Sequence, residues 1–175
     1  MSGASSRTKG AAAERELAAA LEEQIGVRLT RRLDQARGGG HDLDLPDGAA
    51  GPVAETLRRL AVEVKRYQAV TAASLAGWWG QAVKQAAAVD RWPCLCYRAD
   101  RAAWRVRLPL AAVRGDLFAV AWEDVDLALD VALPGFAALV REGAIAPPPC
   151  CGSSAAAVFA KVRGPGPSLG DPSHA

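Results

Sequence analysis

Residues 11 to 25, AAAERELAAALEEQI, carry Glu14, Leu17, Ala18, Leu21 and Ile25 at i, i+3, i+4, i+7 and i+11. That spacing is one helical stripe, and the Ala, Leu and Glu content favours a helix. The stripe holds one acid, Glu14; Glu16, Glu22 and Glu23 lie off it. VRLTRRLDQ (27 to 35) alternates as a strand does, with Arg28, Arg31 and Arg32 projecting. ARGGG is a loop or wide turn. HDLDLP (41 to 46) alternates again, with Leu43 and Leu45 on one face, Asp42 and Asp44 on the other, and Pro46 ending the run. Residues 47 to 57 read as a loop with a helical turn at AETLRR. LAVEVKRYQ (60 to 68) is a strand with Val62 and Val64 on one face and Glu63 and Lys65 on the other.

Thr71 is placed to cap a helix over 72 to 89, AASLAGWWGQAVKQAAAV, in which Leu75, Trp79, Ala82 and Ala86 form one stripe and Trp78, Gln81 and Gln85 the next. PCLCYR (93 to 98) and AWRVRLPL (103 to 110) read as two strands joined by a turn at ADRA. The order α-β-β-β-α-β-β predicts an α/β fold, a mixed central sheet flanked by helices. Beyond residue 115, DLFAVAW fits an edge strand and GFAALVREG a short helix. The expected organisation is a main domain over 1–115, an extension over 116–143 packed on it, and a disordered tail over 144–175 rich in Pro, Gly, Ser and Ala.

Composition narrows the partners. Half of the 175 residues are hydrophobic, which supports a core, although much of that half is alanine. The net charge of +2 gives no global field for nucleic acid, so any basic surface is local. No apolar run approaches the roughly 20 residues of a membrane helix. MSGASSRTKG lacks the apolar stretch of a secretory signal, so a cytoplasmic protein with reduced cysteines is expected.

The acids carry the candidate chemistry. Glu14 faces inward on its helix, Asp42 and Asp44 share a strand face, and Glu63 and Lys65 share another. Burying several unpaired acids together needs a cation. Oxygen ligands suit a hard divalent ion, Mg²⁺ or Mn²⁺. Lys65 lies about 7 Å along the strand from Glu63, within reach of a phosphate oxygen.

KGAAAERE, then GGGHDLDL, then VEVKR, then a helix bearing WWGQA resembles the PD-(D/E)XK nuclease superfamily over roughly residues 7 to 110. Within it the sequence looks most similar to archaeal-type Holliday-junction resolvases and related phage nucleases. The resemblance implies a restriction-endonuclease-like fold and metal-dependent hydrolysis of DNA phosphodiesters, leaving a 5′-phosphate and a 3′-hydroxyl. It implies that Glu14 organises the metal shell, that Asp42 and Glu63 are metal ligands, that Lys65 is the catalytic lysine, and that Gln81 is the glutamine carried on the following helix. The doubled DLD leaves Asp44 in competition with Asp42, which directly follows the glycines. Arg7, Lys9, Arg28, Arg31, Arg32, Arg37, Arg66 and Lys84 would neutralise DNA phosphates. No base-reading element is evident, so branched or double-stranded DNA would be recognised by shape. Symmetric cutting of two strands needs two sites, which a homodimer would supply.

Rival readings stand beside this one. The fold could serve as a non-catalytic DNA-binding or phage accessory module, or as an exonuclease or restriction-type enzyme. Trp78 and Trp79 read as core residues before base-stacking platforms. His41 points to the face opposite Asp42, in a turn or at the surface. Cys94 with Cys96, and Cys150 with Cys151, lack a zinc spacing. With only His41 and His174, Ser-His-Asp or Cys-His catalysis has little support, and GGG lacks the Gly-Lys-Ser/Thr ending of a phosphate loop.

Overall fold

The computed structural model describes residues 3–31, 41–117 and 121–148, the side chains of 3–8 excepted. Helix α1 runs over Gly3–Ile25, and short strands β1 (Thr30–Arg31) and β2 (Leu43–Asp44) follow. Helix α2 (Pro52–Arg58) leads into strand β3 (Leu60–Tyr67) and helix α3 (Ala72–Ala87). Strands β4 (Trp92–Ala99) and β5 (Arg105–Pro109), a helical turn α4 (Leu110–Val113), strand β6 (Ala128–Ala132) and helix α5 (Leu133–Arg141) complete the described chain.

The six strands form one mixed sheet in the order β1-β2-β3-β4-β5-β6. Every neighbouring pair is antiparallel except β3 and β4, which run parallel with Glu63 beside Leu95 and Lys65 beside Tyr97. A parallel pair needs a crossover, and α3 supplies it. Thr71 starts that helix through a reciprocal box: its hydroxyl accepts the Ser74 amide at 3.1 Å, and the Ser74 hydroxyl accepts the Thr71 amide at 2.9 Å.

Two apolar clusters sandwich the sheet. On one face Leu17 and Leu21 of α1, Val62 and Val64 of β3, Trp92 and Phe136 of α5 pack together. On the other, Trp79 and Ala82 of α3 pack on Leu95 and Tyr97 of β4. Each large side chain so buried contributes about 1.5–3 kcal/mol. Cys94 and Cys96 lie in the first of these clusters as free thiols.

The expected α/β class, a mixed sheet flanked by helices, is the one observed. Several boundaries differ. The strand expected over 27–35 is ordered as a strand only at Thr30–Arg31, with 32–40 outside the described residues, and that over 41–46 contracts to Leu43–Asp44. A two-residue partner leaves few backbone groups to pair, so alternation alone overstates strand length. The helical turn expected at AETLRR within the loop over 47–57 is part of α2, which starts two residues earlier with Pro52 at a helix start that needs no N–H. DLFAVAW begins as a 3₁₀ turn at Gly115–Leu117, and the edge strand is β6. The α5 helix falls where GFAALVREG predicts it. Residues 144–148 run back along the domain: the Ala146 amide donates to Ala112 at 2.7 Å, and the Trp92 indole donates to Ala146 at 2.9 Å. Among the described residues no helix is long and apolar enough to cross a membrane.

Candidate active site

Strand β3 lies inside the sheet, so both faces of its centre are covered. Glu63 is 1 % exposed there, the most deeply buried acid among the described residues. A carboxylate at that depth needs compensation. Its Oε1 lies 2.6 Å from the Lys65 ammonium and accepts from Nε2 of Gln81 at 2.9 Å. Gln81 reaches it from α3, which Thr71 caps and which Trp79 and Ala82 pack onto the sheet. The other oxygen, Oε2, is buried and finds no hydrogen-bond partner among the described residues.

Asp42 stands on the neighbouring strand segment. Its amide donates to the Val62 carbonyl at 2.8 Å, and its Oδ2 accepts the Val64 amide at 2.7 Å. These bonds hold the carboxyl to the stretch of β3 that carries Glu63 and Lys65. Burial, and next the charge of Glu63, push its pKa up to about 7, with Glu14 adding to the rise. The Val64 amide and Lys65 oppose that rise without cancelling it.

Asp44, two residues on, has other partners. Its carboxylate contacts Arg91 at 3.1 Å and His41 Nε2 at 3.2 Å, and accepts the Leu45 amide at 3.0 Å. Burial works against its ionisation, but the Leu45 amide and Arg91 outweigh it and hold the pKa below the usual carboxylate value. His41 is fully buried beside it rather than in a turn or at the surface. Alternation set His41 on the face opposite both aspartates, yet it contacts Asp44, and the pattern gave no sign of Arg91, fifty residues away. Arg91 is the residue that the local pattern missed; its position between α3 and β4, in VDRWP, was the available signal.

Glu14 is half-buried and ion-paired with Arg31. Its charge is still felt at Asp42. The compensation that four gathered acids would demand from a cation is therefore supplied by arginines for Glu14 and Asp44. Among the described residues no three His, Cys, Asp or Glu side chains form a ready-made metal cage. Two carboxylates, Asp42 and Glu63, remain close to each other. They fit a Mg²⁺-type ion, which is commonly held by one or two carboxylates with waters and phosphate oxygens completing its shell. The unpartnered Glu63 oxygen and the raised Asp42 pKa are the strains that a cation would relieve.

The cations expected to meet DNA are divided. Lys9 and Lys84 are exposed, and Arg28 is exposed beside Glu22 at 3.7 Å. Arg31 is taken by Glu14, and Arg66 by Glu16 at 3.1 Å and Asp100 at 2.9 Å. Glu16 also pairs with Arg98 at 2.8 Å. Arg32 and Arg37, the side chain of Arg7, and Cys150, Cys151 and His174 lie outside the described residues. Trp79 is a core residue at 1 % exposure, its indole donating to the Glu123 carbonyl at 2.8 Å. Trp78 is only half-buried.

No curated protein and no solved structure matches the chain. One family model does match, over residues 5–130, a span that takes in α1, the three acidic segments, the crossover helix and the sheet as far as β6. The buried glutamate, its lysine neighbour and the aspartate of the adjoining strand all lie inside that span, and the chain belongs to the family described as "Phage putative PDDEXK endonuclease".

Proposed function

We propose that the chain is a divalent-metal-dependent DNA endonuclease whose cutting site is Asp42, Glu63 and Lys65. The observation that carries this reading is the buried Glu63, with one oxygen unpartnered, the other 2.6 Å from Lys65, and a second carboxyl beside it that is hard to ionise.

Asp42 and Glu63 would hold Mg²⁺ or Mn²⁺. Bound there, such an ion activates water and offsets negative charge building on the phosphate. The chain's own groups do the rest. Lys65 is held by Glu63 at the site and offers its ammonium to a non-bridging phosphate oxygen, where charge grows during attack. Gln81 fixes the Glu63 carboxylate, and the Val64 amide fixes that of Asp42. Glu14, tied to Arg31, adds negative charge without being spent on the ion. Water's oxygen ends on the 5′-phosphate, the bond to the 3′ oxygen breaks, and that oxygen takes a proton. Asp44 serves by anchoring Arg91 and His41 beneath the strand. Lys9, Arg28 and Lys84 are the exposed cations for phosphate contact. Branched DNA, cut by two copies of the chain, is the finer form of this proposal.

The test uses the purified chain with supercoiled plasmid, linear duplex, single strands and four-way junctions, in Mg²⁺, Mn²⁺ or EDTA. Metal-dependent nicking of circular DNA that falls about a hundredfold or more in Lys65→Ala supports the endonuclease. No cleavage of any form, or cleavage at an undiminished rate in Lys65→Ala, overturns it. Resistance of circles with digestion of linear ends would indicate an exonuclease. A second reading has one observation in its favour: Oε1 of Glu63 is already shared by Lys65 and Gln81. A non-catalytic DNA-binding module would bind DNA equally with and without Mg²⁺ and cut nothing.

A further inference from the structure

Tyr67 and Trp78 stack, their ring centroids 4.8 Å apart and their planes inclined by 29°. Tyr67 is 52 % exposed, the more open of the two large apolar side chains exposed among the described residues. Trp78 is itself half-buried against the cluster of Trp79, Leu95 and Tyr97, so it gives the Tyr67 ring a fixed backing while Tyr67 stays half in water. An aromatic pair with a free face is a surface to which a third flat group adds readily.

The pair is built from the same two elements as the cutting site. Along β3, Glu63, Lys65 and Tyr67 fall on one face because side chains alternate. On α3, Trp78 precedes Gln81 by three residues, so the two are neighbours on the helix surface. Strand and helix are thus linked twice, by Glu63 with Gln81 at 2.9 Å and by Tyr67 with Trp78, with Lys65 between the links. Tyr67 lies about 7 Å beyond Lys65 along the strand. A phosphate at Lys65 therefore places its adjoining base within reach of the ring. Lys84, three residues past Gln81 on the helix, is exposed to meet the backbone.

A base inside an intact duplex has both faces covered by its neighbours. Only a single strand, a flap, an end or a branch point offers an open face. We infer that Tyr67 and Trp78 are a stacking platform for an unpaired base next to the scissile phosphate, so the site selects DNA with single-stranded character over uninterrupted duplex. This rests on the nuclease reading of Asp42, Glu63 and Lys65, and it makes Tyr67 a specificity residue.

The experiment measures binding in EDTA, where nothing is cut. Oligonucleotides carry 2-aminopurine in a single strand, at the unpaired position of a flap, or within a duplex. The full-length protein is titrated in, as wild type, Tyr67→Leu and Tyr67→Phe. Wild type should quench the probe in the single strand and the flap. Tyr67→Leu should weaken binding to both about tenfold or more, the scale of one lost base–aromatic stack. Tyr67→Phe should restore both quenching and affinity, and duplex binding should be the same for all three proteins. A uniform loss on all three DNAs, no loss, or no quenching by wild type would each overturn the platform. Plasmid cleavage by wild type in Mg²⁺ is scored separately: its absence sinks the nuclease reading, while the quenching data still decide whether the aromatic pair stacks on a base.

Discussion

Asp42 accepts the backbone amide of Val64 at 2.7 Å, and Val64 is the residue between Glu63 and Lys65. One side chain thus ties two strands together at the position where an acid and an amine flank the bond. The arrangement fixes Asp42 firmly and keeps it next to the Glu63 charge, which burial leaves poorly screened.

That crowding has a pH signature in metal-free protein. An acid with a pKa of about 7 folded and 3.8 unfolded keeps a proton in the fold that the unfolded chain gives up. Its contribution to stability is full at low pH and is lost as pH climbs through about 7. Asp42→Asn removes this loss while keeping an acceptor for the Val64 amide. At pH 8 in EDTA the variant should be more stable than wild type, by up to about 4 kcal/mol, and melt at a higher temperature. Below pH 4 the difference should vanish. Thermal melts across pH check this, and a variant no more stable at pH 8 contradicts the crowding.

Asp44 should behave differently, because Arg91 and His41 rely on it. Asp44→Asn should destabilise the fold by about 1–3 kcal/mol, since a half-buried guanidinium loses its counter-charge. Metal affinity should stay close to that of wild type. Denaturant unfolding together with calorimetric Mn²⁺ titration separates the two aspartates; a metal-binding loss equal to that of Asp42→Asn would reverse their roles.

The contrast between these two aspartates shows where sequence reasoning stops. Alternation placed both on one face and placed Glu63 with Lys65, because faces are a local property of a strand. It left the aspartates unranked, because the ranking depends on Val64 for one and Arg91 for the other, both remote in the chain. The Thr71 cap and the crossover helix were legible from capping chemistry and helical stripes. Helix α2 was legible only as a turn at AETLRR, because the Pro and Gly before it read as loop, although Pro52 sits where a helix tolerates proline. Strand β6 was missed despite its alternation, Leu129 and Val131 on one side and Asp130 on the other, because its hydrogen-bonding partner β5 is what makes it a strand. The pairing of Arg31 and Arg66 with acids was invisible for the same reason.

Lys65 and Gln81 should separate by size of effect. Lys65→Ala should reduce cleavage about 10²–10³-fold, the scale of one lost group facing developing charge. Gln81→Ala should cost about tenfold to a hundredfold, as loss of a residue that only orients a ligand does. Single-turnover cleavage rates with bound DNA check both. Equal effects, or a larger one at Gln81, would contradict the assignment of Lys65 to the reacting phosphate.

The helix that delivers Gln81 and Trp78 depends on its first turn. Thr71→Ala removes the acceptor for the Ser74 amide and should cost about 1 kcal/mol, roughly 2–4 °C in Tm. Thr71→Ser should recover most of it. Thermal unfolding of the two variants reads the difference directly, and an unchanged Tm in Thr71→Ala would show that packing alone holds the helix.

The claim on which the rest depends is that Asp42 and Glu63 share one cation. Mn²⁺ binding followed by electron paramagnetic resonance, on wild type, Asp42→Asn and Glu63→Gln without DNA, tests it most directly. One class of bound Mn²⁺ in wild type, lost in each variant while both remain folded, is the predicted result. Undiminished Mn²⁺ binding in either variant would contradict it.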